Sequence, residues 1–393
     1  MPQAKSSKQR PRKAPALLRR VKKAVQRAPS LIAGSIAVRL LWFDSVAAKS
    51  MSVFVETPDV RLLIDPGASG MQPSFPLGEL ERDLFKEAAL DEIEVWAASS
   101  DVVVLTHYHH DHYVDPNERP SVYARKHLLV KDPNQWINRS QWGRARRFWE
   151  DLAKRFEGST EAVLRQEPAT VTEHSAAQEH PIAFQKDFGD YNHRRQELLA
   201  KGQRRADKLR SFWQNEAWLS EQHFGSVRVE FADGRTFQFG HTRVRFTPPL
   251  FHGVEFATVG WVTALVVEHA ASRFLFTSDL QGPTIEDYAA WIIREQPNIA
   301  IVDGPPTYLF GQLMNRINLD RCIRNATQLA ESLPNATIIY DHHLPRDPLF
   351  RKRLAPLYRR LHEIGHSHFF TMAEWCGLRP LVEELSEKKP SKP

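Results

Sequence analysis

Asp101–Leu105 (DVVVL) is a short apolar run of β-branched residues, the pattern of a strand buried on both faces. It stops in Thr106-His107-Tyr108-His109-His110-Asp111-His112. A strand of that kind belongs inside a layered structure, and the residues after it fall on a loop at the sheet's edge. His107 and His109 alternate with Tyr108, so two imidazoles can point the same way. Asp111 and His112 follow after one residue and can turn towards a second cation. Neutral imidazole and carboxylate together suit zinc, and also manganese or iron. A His-rich surface loop without a metal is the bland alternative. So many ionisable groups packed directly behind an apolar strand argue against it.

The rest of the chain alternates β-rich runs with helical ones. Ile36–Phe43, Ser52–Thr57 and Val60–Asp65 read as strands, the last two split by Pro58-Asp59. Residues 77–98 are acidic and amphipathic, hence helical. Residues 130–225 change character: they are rich in Arg, carry five of the ten Trp, and read as an inserted helical region. Strand signals resume at Val227–Glu230, Thr236–Phe239, Thr242–Thr247, Trp261–Glu268 and Arg273–Thr277. Helices are expected at Ile285–Arg294, Leu319–Ser332 and Pro348–Ile364, with strands at Ile299–Val302, Thr337–Tyr340 and Ser367–Phe370. β-meanders flanked by helices predict a layered sandwich.

The HxHxDH string is the signature of the metallo-β-lactamase-fold superfamily, which this chain resembles over five motifs. Asp65 in LLIDPG matches the first, His107, His109, Asp111 and His112 the second, and His252 in FTPPLFHG the third. Asp279 in FTSDLQGP matches the fourth, and Asp341-His342-His343 in TIIYDHH offers two histidines for the fifth. More narrowly, the chain is similar to a family of predicted metal-dependent hydrolases common in archaea. FDSVAAKSMSVFVETPDVRLLIDPG, VVVLTHYHHDHY, KDPNQWINRSQWGRAR, SDLQGP and YDHHLPRD carry that likeness, which spans most of residues 36–380.

The resemblance implies an α/β fold, a four-layer αββα metallo-β-lactamase sandwich over residues 36–380, with 130–225 as its helical insertion. It implies one divalent cation held by His107, His109 and His252. A second would be held by Asp111, His112 and the fifth-motif histidine, with Asp279 bridging both. His342 is preferred over His343, because His342 and Arg346 look like the His-x-x-x-Arg of related tRNA-processing enzymes. Asp65 would hold a ligand imidazole in its tautomer. Two cations roughly 3.5–4 Å apart lower the pKa of water from 15.7 to about 7 and polarise a carbonyl or phosphoryl oxygen. The catalytic candidates are Asp111, His343 and Tyr108, the last two as possible proton donors to the leaving group.

Charge is distributed unevenly. Residues 1–28 hold ten Lys and Arg and no acid, so the remainder carries a net −4 although the whole chain carries +6. Residues 1–30 therefore read as a flexible basic arm suited to RNA, DNA or an anionic membrane, or as a targeting segment. The tail from 383 to 393 is polar. No run of about 18 apolar residues occurs, so no transmembrane helix is expected. The two cysteines, Cys322 and Cys376, fit a reducing compartment, and a cytoplasmic location is expected. His362-Glu363-Ile364-Gly365-His366 matches the HExxH of zinc proteases, but Gly365 inside it reads as a helix terminator. The Trp residues of the insertion either stack on bases or anchor helices onto the sandwich.

These readings favour a metal-dependent hydrolase of phosphodiester or nucleic-acid substrates. A hydrolase of a small ester, lactone or phosphorylated metabolite is the alternative, with the insertion as a lid. A non-catalytic binding protein that kept the fold is a third. Against a nucleic-acid substrate stand the acidic body and the short Asp279–His342 interval, which cannot hold the large extra domain of RNA-degrading and DNA-repair relatives.

Overall fold

The computed structural model describes residues 14–157, 164–165 and 170–387. Residues 1–13 of the expected arm and 388–393 of the expected tail lie outside it. Two sheets dominate. In the first, strands β1 (Leu31–Ala33), β2 (Ile36–Phe43), β3 (Met51–Glu56), β4 (Arg61–Ile64), β5 (Val102–Leu105) and β6 (His127–Val130) follow in chain order. The edge is completed by β7 (Gln222–Phe224) and β8 (Val227–Phe231), in the order β6-β8-β7. The second sheet runs β9 (Thr236–Phe239), β10 (Thr242–Phe246), β11 (Leu265–His269), β12 (Ser272–Phe276), β13 (Ile299–Asp303), β14 (Thr337–Asp341) and β15 (Phe369–Phe370).

Helices α1 (Ala14–Arg27) and α2 (Glu79–Ala97) pack on each other and on β2. α3 (Arg139–Phe156) and α4 (Tyr191–Asn215) lie within the segment expected as a helical insertion, whose last residues, Gln222–Phe224, are the edge strand β7. On the other side, α6 (Arg316–Ser332) packs against both α5 (Glu286–Glu295) and α7 (Ala355–Glu363). β1 and β2 lie against β12 and β13, so the two sheets face each other and the helices take the outer layers, an αββα sandwich.

The strands that matter are central and parallel. β4, β5 and β6 run parallel, as do β12, β13 and β14, so their C-terminal ends open on common edges. All four residues of β5 are buried, as are all five of β13. Parallel strands covered on both faces read as continuous apolar runs, which explains why DVVVL and IAIVD announce themselves in the sequence.

Several expectations are corrected. From Ala14 onward the basic arm is not flexible: it is α1, with Val21 and Val25 fully buried one turn apart. Its C-terminal carbonyls are capped by Arg39, whose Nη2 donates to Val25 O at 2.9 Å and to Gln26 O at 2.6 Å. The single strand expected over Trp261–Glu268 is two. Trp261–Val262 pairs with Leu250–Phe251, whereas β11 pairs with β10 and β12. The helix expected over Pro348–Ile364 breaks at Leu354, between Phe350–Arg353 and α7. α7 ends at Glu363 and Gly365 takes φ +64°, so the HExxH string spans a helix terminus and not one helical face. The tryptophans of the insertion serve as anchors. Trp213 is buried, donates from Nε1 to Ile137 O at 3.0 Å, and packs on Trp136 and Trp261.

Candidate metal centre

Five loops meet at the C-terminal ends of the parallel strands. Asp65 follows β4, Thr106–His112 follows β5, Asp279 lies three residues past β12, and His342 and His343 follow β14. His252 follows the two-residue strand Leu250–Phe251, closed by His252 N donating to Gly260 O at 3.1 Å. Three of these loops carry non-glycine residues in the left-handed region: Asp65 at φ +49°, Ser278 at +55° and His342 at +56°. Such conformations are held only where the surroundings over-determine them, and they concentrate at functional sites. Gly67 lets two loops pass closely: a Cβ there would meet Tyr113 N at 2.2 Å and His112 N at 2.6 Å.

Asp279 lies at the middle of the cluster. Its Oδ2 is 3.5 Å from His107 Nε2 and 3.3 Å from His252 Nε2. Its Oδ1 is 3.1 Å from His112 Nε2 and 3.5 Å from His342 Nε2. The ligand atoms of His107, His109, His252 and Asp279 all lie within 4.8 Å of one another, as do those of Asp111, His112 and His342. His343 also reaches the cluster, with Nε2 4.0 Å from Asp279 Oδ2.

Tyr108 is not brought there. It is fully buried on the opposite side of its loop, donates its hydroxyl to Lys131 O at 2.6 Å, and packs on Phe148 and Trp149. The alternation that sends His107 and His109 one way sends Tyr108 the other, so its phenol is an anchor and not a catalytic group.

Behind the cluster stands an ordered set of acceptors. Asp65 takes Thr106 N at 2.8 Å and the Thr106 hydroxyl at 2.6 Å, and receives His112 Nδ1 at 2.8 Å. Asp44 accepts Ser50 N at 3.0 Å, lies 3.0 Å from His342 Nδ1, and is clamped by Arg346 Nε. Asp303 receives His343 Nδ1 at 2.9 Å and Gln281 N at 2.8 Å. Arg346 Nη2 also reaches Asp111 Oδ2 at 3.3 Å. Asp44 and Asp303 were not singled out in the sequence. The available signal was the one that found the others, an Asp directly behind an apolar strand, in LLWFD and IAIVD.

The electrostatics divide the histidines. Burial and the neighbouring His112 charge push His107 down to about 4, and burial holds His109 well below the usual imidazole range. Burial would also lower His112, but the Asp279 and Asp65 carboxylates override it and hold it up at about 10. His342 is likewise raised against burial, by Asp44 and Asp279. Burial beside Asp279 pushes the Asp303 carboxyl well up.

Divalent cations fit this site on the chemistry of its donors. Both ring nitrogens of His252, Nε2 of His112 and Oδ1 of Asp279 are buried without a hydrogen-bond partner. Buried polar atoms are normally satisfied, and the three of these at the cluster, His252 Nε2, His112 Nε2 and Asp279 Oδ1, are what a cation-binding pocket leaves when protein groups alone are counted.

A family model described as the metallo-beta-lactamase superfamily matches residues 47–115. A UPF0282 protein of Korarchaeum cryptofilum is 30% identical over 322 residues, 82% of this chain and 83% of its own. One from Methanopyrus kandleri is 31% identical over 358 residues, 88% of this chain and 97% of its own. The chain belongs to the UPF0282 family. Its fold is the metallo-β-lactamase fold. Among solved structures it is similar to the metallo-β-lactamase fold protein YhfI from Bacillus subtilis, at 12% identity over 82% of this chain and 88% of that one, with a TM-score of 0.36. It is also similar to the short form of human tRNase Z, at 10% identity over 78% and 92%, TM-score 0.36. Among the described residues of this UPF0282 protein no helix is long and apolar enough to cross a membrane.

Proposed function

We propose that this UPF0282 protein is a metal-dependent hydrolase using two divalent cations, zinc first and manganese or iron as alternatives, on phosphodiester or nucleic-acid substrates. The observation that carries the reading is the placement of Asp279, one carboxylate oxygen towards His107 and His252 and the other towards His112 and His342. His107, His109 and His252 would hold one cation, Asp111, His112 and His342 the other, and Asp279 both. Bound there, the cations would supply a water activated at neutral pH and polarise the oxygen of the scissile group.

The chain's own groups do the rest. Asp65 would accept a hydrogen bond from His112 Nδ1, and Asp44 with the Ser50 carbonyl one from His342 Nδ1, which keeps the proton on Nδ1 and leaves Nε2 free as a ligand. His343 is hydrogen-bonded through Nδ1 to Asp303, whose carboxyl burial keeps prone to protonation. Burial holds His343 itself well below the usual imidazole range, so the proton of the pair rests on Asp303 and would pass by relay, from Asp303 to His343 Nδ1 as His343 Nε2 gives its own to the leaving oxygen. Arg346 and Lys49 favour an anionic substrate. Lys49 is largely buried, has Asp111, Asp44 and Arg346 in its field, and makes no ion pair among the described residues. On α1, Arg19, Lys23 and Arg27 are exposed and extend the basic residues 5–13, a surface for RNA or DNA.

The test is a pair of chromogenic substrates. Cation-loaded protein is expected to hydrolyse bis(p-nitrophenyl) phosphate and not p-nitrophenyl acetate, with Asp111→Ala lowering kcat/KM about 100-fold or more. The reverse preference favours the small-ester reading. Because Val21 and Val25 belong to the core, the nucleic-acid arm is tested by Arg19, Lys23 and Arg27→Glu instead of deleting the helix. RNA affinity that is unchanged in that variant contradicts the role of α1.

A further inference from the structure

We infer that the helical insertion is the scaffold that sets the distance between the two halves of the first cation site, with Gln141 as its main positioning residue. The inference rests on the reading that His107, His109 and His252 hold a cation. Those ligands come from two loops far apart in sequence. At their base the loops are joined by one backbone bond, Thr263 N to Thr106 O at 3.0 Å. At their tips the join is made by a side chain of the insertion. Gln141, in the first turn of α3, is fully buried. Its Oε1 accepts from Tyr108 N at 3.1 Å, between the two ligand histidines, and its Nε2 donates to Val259 O at 2.7 Å, beside the Gly260 carbonyl that closes the His252 turn. Asn138, the N-cap of the same helix, accepts from Gln141 N at 2.8 Å and donates from Nδ2 to Thr258 O at 3.0 Å. One amide therefore staples both loops, and the helix N-cap fixes the amide.

The insertion grips the His252 loop a second time, from α4. Arg195 Nη2 donates to Glu255 Oε1 at 2.8 Å, and Arg321 of α6 holds both oxygens of the same carboxylate, at 2.8 and 3.1 Å. Gly202 of α4 allows the close approach of Phe256: a Cβ at that position would meet the Phe256 Cβ at 2.4 Å. An element bound to the loop by the buried Arg195–Glu255 pair, a shared amide and the close Gly202–Phe256 contact cannot swing away as a lid while leaving His252 in place. Its effect on the site is to hold ligand spacing. Outer partners of metal ligands of this kind are worth about 10- to 100-fold in metal affinity.

The test uses the full chain, with Zn2+ affinity read by chelator competition and site geometry by the visible absorption of the Co2+-loaded protein. Gln141→Leu keeps the volume and removes both bonds. It is expected to weaken one of two cation equivalents about 10- to 100-fold and to change the Co2+ bands, the other equivalent being retained. Glu255→Gln, which removes the charge gripped by Arg195 and Arg321, is expected to weaken the same equivalent and serves where Gln141→Leu fails to fold. Arg155→Gln, on the exposed side of α3, is expected to change neither. Wild-type affinity and an unchanged Co2+ spectrum in both Gln141→Leu and Glu255→Gln overturn the scaffold while leaving the hydrolase reading intact. A wild-type chain that takes up no cation overturns both.

Discussion

Asp279→Ala is expected to be the most damaging single substitution to function in this chain. The residue is one carboxylate with imidazole nitrogens of His107, His252, His112 and His342 all within 3.5 Å of its oxygens. Removing it deletes the only group common to the two proposed ligand sets, so cation uptake should fall from two to one or none. Loss of several kcal/mol of transition-state charge stabilisation corresponds to a drop in kcat/KM on the order of 10³-fold or more. The metal-free variant should also be less stable. In the wild type, Asp279 and Asp65 hold His112 up at about 10, so its ion pairing is fully present below the unfolded imidazole value of about 6.5 and fades as pH rises towards 10. Without Asp279 a buried imidazolium loses a counter-charge, a loss of about 3–5 kcal/mol by analogy with other broken buried pairs. The deficit, read by thermal or urea unfolding of chelated protein at several pH values, should be largest below pH 6.5 and shrink towards pH 10. A deficit that grows with rising pH would contradict this charge assignment.

Arg346→Met should cost the fold as much and the site nearly as much. The guanidinium is buried and shared by Asp44 and Asp111, with His342 Nε2 3.2 Å from Nη2. Met replaces the stem and leaves Asp44, fully buried, with the Ser50 amide and His342 as its partners. Breaking a buried pair by removing one partner typically costs about 3–5 kcal/mol. Burial raises the Asp44 carboxyl, but Arg346 and His342 together hold it below its usual range. This stabilisation is present above the unfolded value of about 3.9 and is lost as pH falls through the folded one. The stability gap between wild type and Arg346→Met should therefore close on acidification below about pH 4. Denaturant midpoints measured across that range check it, and a gap independent of pH would show that Arg346 contributes packing and not charge.

How far the sequence announces all this depends on how local each signal is. The ligand loops are legible because each is a buried parallel strand followed at once by a polar ligand, and both halves of that pattern are contiguous in the chain. DVVVL-THYHHDH and TIIYDHH need no tertiary information. The structure brings both His342 and His343 to Asp279 and also holds His343 through Nδ1 against Asp303, contacts that spacing alone does not announce. Tyr108 is adjacent to the ligands in sequence but not in space, because alternation turns it into the core. Asp44 and Asp303 share the strand-then-acid pattern, but their roles are not legible from it, because their partners, Arg346 and His343, lie 302 and 40 residues away in the chain. α1 is hidden by its charge: five of its 14 residues are Lys or Arg and dominate its composition, while two valines one turn apart decide that it packs. The role of Gln141 has no sequence signature, since a glutamine bridging two backbone groups is defined only by the loops it joins.

The proposed reading brings seven side chains from four loops, His107, His109, Asp111, His112, His252, Asp279 and His342, into one pocket for two cations. Calorimetric titration of the full chain with Zn2+ at pH 7, in buffers of different ionisation enthalpy, tests it most directly. Saturation is expected at two cations per chain with net proton release, because His112, held up at about 10 in the metal-free protein, must give up its proton to bind. Saturation at fewer than two cations, or uptake undiminished by Asp279→Ala, would contradict it.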